Sequence, residues 1–119
     1  MTERKKLDAD DRRFLLTAAW LFARHGQPAR ARAVCEALVE ANPRDGVSAA
    51  ALAEMLLDDG EPQRALEVVR ASRFPRQLAR AEAVLETRAL RATGRSADAD
   101  RRWKRYVESA KGRDRTWVK

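Results

Sequence analysis

Scarcity excludes most chemistry for this chain. Among 119 residues there is one cysteine, Cys35, and one histidine, His25. A lone thiol cannot close an intramolecular disulfide, which fits a reducing compartment. One histidine and one cysteine cannot build a usual zinc site. Nucleophilic Cys–His chemistry needs a base beside the thiol and a third group to orient it, and the sequence supplies neither. Beyond its basic start, Met1 to Lys6, the chain turns acidic at Asp8, Asp10 and Asp11 and shows no apolar signal-peptide stretch. No window approaches about 18 uncharged apolar residues, so no membrane span is expected. Alternating β-branched runs are missing, which argues against strands. There is no glycine-rich phosphate loop. Asp58 and Asp59 are adjacent and point different ways on a helix, whereas Glu82 and Glu86 share a face expected to be solvated beside arginines. The expectation is a cytoplasmic protein, not an enzyme, with no cofactor and no metal.

What is present favours helix. Hydrophobic residues make up 45% of the chain, enough for one modest core. Ala, Leu, Arg and Glu dominate, and all four are good helix formers. The net charge of +7 is unevenly spread. Residues 14–100 carry twelve basic and twelve acidic side chains, and residues 101–119 carry eight basic against two acidic. The excess therefore sits at the C-terminal end. A solvated tail over about 111–119 is the plainer reading, and contact with nucleic acid is the alternative.

The chain repeats itself. Gly26, Gly60 and Gly94 are 34 residues apart, as are Ala31, Ala65 and Ala99, and Phe22, Leu56 and Leu90. Ala19 and Ala53 share a register with Thr87, and Pro28 and Pro62 share one with Ser96. Each glycine suits a helix end that needs a left-handed residue. Proline two residues later suits the first turn of the next helix. The alanine lets two helices cross closely, and the large apolar residue before the glycine fills the crossing. The unit is a helical hairpin. Six helices are expected, at about 8–25, 29–41, 46–59, 62–71, 76–93 and 96–110, with Asp8 capping the first and Asn42-Pro43 stopping the second. Repeats run at about 12–45, 46–79 and 80–113 within a single domain, 1–119. Three is about the minimum for a stacked array, so its two ends should be its weak points.

A 34-residue hairpin with this glycine, alanine and closing-proline pattern resembles the tetratricopeptide repeat over Arg12–Arg113. That resemblance implies an all-α fold of three hairpins stacked as a short right-handed solenoid. The stretch Phe14-Leu15-Leu16-Thr17-Ala18-Ala19-Trp20-Leu21 narrows it further, together with Ala37-Leu38-Val39-Glu40-Ala41-Asn42-Pro43 and Trp103-Lys104-Arg105-Tyr106-Val107-Glu108. These look like the small type III secretion chaperones of the SctY (YscY) type. The resemblance implies a cytosolic chaperone or assembly factor that holds a secreted or export-apparatus partner of the SctX kind in a concave groove.

In such repeats the first helix of each hairpin lines the groove. Carried over, this implies Arg13, Leu16, Trp20, Ala23 and Arg24 from the first repeat. It implies Val47, Ala50, Glu54, Leu57 and Asp58 from the second, and Ala81, Val84, Arg88 and Arg91 from the third. The mixture suits a helical segment of a protein client, with Leu16 and Trp20 as apolar anchors and Arg24, Arg88 and Arg91 meeting carboxylates. Trp20 is open to a groove or a core placement. Trp103 and Tyr106 are expected in the core or as an end cap, and Trp117 is left open. A generic scaffold, forming a homo-oligomer through its end helices, is the competing expectation.

Overall fold

The computed structural model describes residues 7–115, with side chains through 112. The expectations for Met1 to Lys6 and for Trp117 lie outside the described residues.

Six α-helices follow one another: α1 (Ala9–Arg24), α2 (Pro28–Ala41), α3 (Gly46–Asp58), α4 (Pro62–Ala71), α5 (Ala79–Ala92) and α6 (Ser96–Arg115). No strand occurs among the described residues; one isolated bridge joins Asp45 and Arg73. Two boundaries differ from expectation by more than one residue. The fifth helix is preceded by a 3₁₀ turn, Arg76–Leu78, where Leu78 N–H reaches the Pro75 carbonyl at 2.9 Å. Pro75 holds the chain extended (φ −65°, ψ 158°), so the α-helix starts only after the turn. The sixth helix runs on to Arg115, because its Lys- and Arg-rich last turns favour helix and Gly112 is tolerated within them.

The repeated sequence signals become repeated geometry. Gly26, Gly60 and Gly94 have φ of 71°, 76° and 82°. Just beyond each, the same hydrogen bond closes the helix end: Gln27 N–H to Phe22 C=O, Glu61 N–H to Leu56 C=O, and Arg95 N–H to Leu90 C=O, all at 2.8 Å. This six-to-one closure satisfies a terminal carbonyl and reverses the chain. At the start of α1, Asp8 accepts from Asp11 N–H at 2.8 Å and donates its own N–H to the Asp11 carboxylate at 3.3 Å. Two orphan amides are satisfied at once.

Each helix packs on the next in sequence, α1 also touches α3, and α3 touches α5. α2 and α4 meet through charged side chains, Arg64 donating to Glu36 at 2.7 Å. Ala31, Ala65 and Ala99 are at most 1% exposed, each at the tight crossing of its helix pair. Leu52, Leu56, Leu66 and Leu90 are the largest fully buried core residues. Each contributes about 1.5–3 kcal/mol by leaving water. Adding volume at Ala65 would force strain of about 1–3 kcal/mol. No helix among the described residues is long and apolar enough to cross a membrane.

Candidate protein-binding face

The residues expected to line a groove fall on α1, α3 and α5, of which α1 touches α3 and α3 touches α5. They lie in register: Trp20, Glu54 and Arg88 occupy the same repeat position on successive hairpins.

The structure distributes them unevenly. Trp20 is 57% exposed, which places it on the surface and not in the core. Arg24, one turn on, lies over its indole at 4.9 Å from the ring centroid. A guanidinium there is attracted by the ring quadrupole. Arg13 and Arg24 form no ion pair among the described residues. Leu16, Ala50 and Leu57 are half-buried and pack against the core, so they offer only their edges. Val47, Ala81 and Val84 are half-buried as well, and Ala23 is exposed.

Two arginines assigned to a client are already engaged within the chain. Arg88 donates to both oxygens of Glu54, at 3.0 and 2.9 Å, and lies 3.9 Å from Asp58. Arg91 turns to Asp100 of α6 at 2.8 Å. Their geometry serves the stacking of helices, which leaves Arg13 and Arg24 as the cations presented by α1. Of the expected groove arginines, the two without an ion pair thus lie on α1, the helix that carries Trp20.

Sequence reasoning missed a second set of charges. Glu86 is not solvated as expected: its side chain is 13% exposed and joins Arg102 at 2.6 Å and Arg70 at 3.0 Å. Burial by itself would raise its pKa, but the two guanidiniums outweigh it and hold the carboxyl below the usual range. At Glu82 burial wins, and the carboxyl is raised despite Arg102. The only advance signal was that Glu86 stands 16 residues from both arginines, a separation that becomes contact only once α4, α5 and α6 are packed. On the outer helices, Arg32 joins Glu61 and Asp59, and Arg64 joins Glu36. These exposed networks lower the Glu61 pKa and raise that of Arg32.

Trp103 and Tyr106 are half-buried and stack on each other, with centroids 5.4 Å apart and planes tilted by 34°. Cys35 is fully buried, and burial pushes its thiol up, which makes it a poor nucleophile. No group of three or more potential metal ligands occurs among the described residues. A pocket of about 230 Å³ opens between the start of α1, the end of α2 and the start of α3, with Arg12 and Asp45 paired at 3.1 Å on its wall. None of the expected groove residues lines it.

Compared with known proteins, the chain matches no family model, no curated protein and no solved structure.

Proposed function

We propose that this chain is a short tetratricopeptide-type array that grips another polypeptide against α1, α3 and α5. On this reading it serves as a cytosolic chaperone or assembly factor for a type III secretion component, in the manner of the SctY type that its first hairpin resembles. It acts by binding and carries out no catalysis. The three identical glycine closures and the three buried alanines, each 34 residues apart, support the repeat assignment. The packing of α1 on α3 and of α3 on α5 supports a shared face built from the first helix of each hairpin.

The observation that carries the reading is Trp20, a large aromatic left 57% exposed with Arg24 across its face. Tryptophan and arginine are the residues that most often dominate interface energies. Arg13 and Arg24 favour a client that is an amphipathic helix with carboxylates flanking its apolar face, laid first against α1. Arg88, held by Glu54, contributes shape more than charge.

The test is co-expression with the proteins encoded by neighbouring genes, followed by affinity capture. A stable complex lost in Trp20→Ala, with helicity unchanged, supports the proposal. Binding only the folded state should also raise the melting temperature of the chain. Absence of a complex with every neighbour removes the chaperone reading. A complex indifferent to both Trp20→Ala and Arg24→Ala removes the groove.

A further inference from the structure

Antiparallel packing brings two basic stretches to one corner of the fold. Residues 70–81, which join α4 to α5, hold Arg70, Arg73, Arg76 and Arg80 and no carboxylate. Residues 101–112 of α6 hold five basic side chains and one acidic, Glu108. α5 and α6 pack against each other, with Arg91 meeting Asp100 and Glu86 meeting Arg102. Each step toward the start of α5 is thus a step toward the end of α6. That order sets Arg80 near the level of Glu108 and Arg76 near the level of Gly112. Glu82 feels the charges of both Arg102 and Arg105, as this register requires.

The cations of this corner lack acidic partners. Arg76, Arg80, Lys104, Arg105 and Lys111 are exposed and form no ion pair among the described residues. At the opposite end of the hairpins charges are matched: Arg91 with Asp100, Arg95 with Asp98, and Arg32 with Asp59. Lys104 and Lys111 are two turns apart and stand in line along α6, with about 10 Å between them. The corner also lacks an apolar anchor. The exposed large hydrophobic residues of the described chain are Leu7, Phe14, Trp20 and Leu21, all on α1 or just before it. Trp103 and Tyr106 are half-buried and stacked on each other.

We infer that this corner binds the phosphate backbone of nucleic acid. What the surface has and what it lacks select that ligand together. A helix that lies on a membrane needs an apolar face beside its cations. Protein interfaces are anchored by aromatic and other large side chains in fitted pockets. Cations without either suit a ligand whose own surface is an array of anions, and duplex DNA carries one phosphate charge per about 1.7 Å of axis. The distance from Lys104 to Lys111 matches about three phosphates of one strand. Five cations stand against the one carboxylate of Glu108. Contacts to phosphate position a protein without reading bases, so binding ignores sequence. None of the five cations was expected to line the groove, and the two sites are separate.

Fluorescence anisotropy of the purified chain, without any client, against a short labelled duplex DNA of mixed sequence tests this. The expected result is saturable binding at low salt, weakening to a dissociation constant of about 10⁻⁴–10⁻⁶ M at physiological salt. Log affinity against log salt should have a slope of about −0.9 per phosphate contact, so about −4 for the corner as a whole. Arg76→Ala/Arg80→Ala should weaken binding by about tenfold and reduce that slope by about two. Lys104→Ala/Lys111→Ala should do the same. Arg24→Ala/Arg30→Ala removes equal charge from the opposite end and should leave the slope unchanged. All six side chains are exposed, so far-UV circular dichroism should not differ among the variants. A second duplex of unrelated sequence should bind equally well. Absence of binding at low salt overturns the inference. So does binding that the two corner variants leave unchanged, or a loss in the control pair as large as theirs. Retention on vesicles containing phosphatidylserine with none on DNA overturns it in favour of a membrane surface. The assay contains no client, so its failure leaves the groove proposal standing.

Discussion

Arg88 grips Glu54 with two hydrogen bonds of 3.0 and 2.9 Å, and the two residues are 34 positions apart, one full repeat. The pair links α3 to α5 at the same height on successive hairpins. Its ends are 43% and 52% exposed, so solvent screens it and its contribution is about 0.2–1 kcal/mol. Arg88→Ala should lower stability by no more than that in urea unfolding, and the loss should shrink in high salt. The charge-reversed double variant Glu54→Arg/Arg88→Glu should recover most of it. Client binding, by contrast, should suffer more from Arg24→Ala than from Arg88→Ala, because Arg88 is already occupied.

The two carboxylates of α5 should respond to acid in opposite ways. Glu86 is held below its usual pKa by Arg102 and Arg70, so its stabilisation is present above the ordinary value of about 4.3 and is lost as pH falls through the lowered one. Glu82 is raised by burial, so its favourable contribution is present below about 4.3 and disappears as pH rises through its folded value. At pH 7, Glu86→Gln should cost about 1–3 kcal/mol, since it leaves two guanidiniums without their anion. Glu82→Gln should be neutral or stabilising at the same pH. Thermal melts of both variants across acid to neutral pH would check the signs.

Glycine substitutions should rank against intuition. Gly60 has φ of 76° and open space around it, so Gly60→Ala bears only backbone strain, about 1–2 kcal/mol. Gly46 has no such φ, yet a methyl group there would lie 2.5 Å from the Arg73 carbonyl oxygen and 2.6 Å from the Phe74 Cα. Backbone cannot swing aside as a side chain can, so Gly46→Ala should cost about 3 kcal/mol or more. It should also break the Arg73 N–H to Arg44 C=O bond, 2.9 Å long, which ties the α4–α5 connection to the start of α3. Denaturant unfolding of the two variants would give the order.

Thr87 occupies the register position held by Ala19 and Ala53, and it is only 8% exposed. Its Oγ1 finds no hydrogen-bond partner among the described residues. Burying an unpaired hydroxyl costs about 1–3 kcal/mol. Thr87→Ala should therefore raise the melting temperature, whereas Ala53→Thr, at a fully buried site, should lower it.

Much of this protein is local in origin. Glycine, proline and alanine at 34-residue spacing dictate where helices end, restart and cross, through left-handed backbone, a dispensable amide and a missing side chain. Those are properties of one or two residues each, so six helices and their buried alanines could be read from the chain alone. Tertiary packing decided the rest. Whether Trp20 is buried, whether Arg88 is free, why Gly46 must lack a Cβ and why Glu86 is not solvated all depend on which distant groups arrive beside them. Electrostatic pairing and steric contact act over a few ångströms in space between residues 16 to 34 apart in the chain, and only the packed helices bring those distances into range.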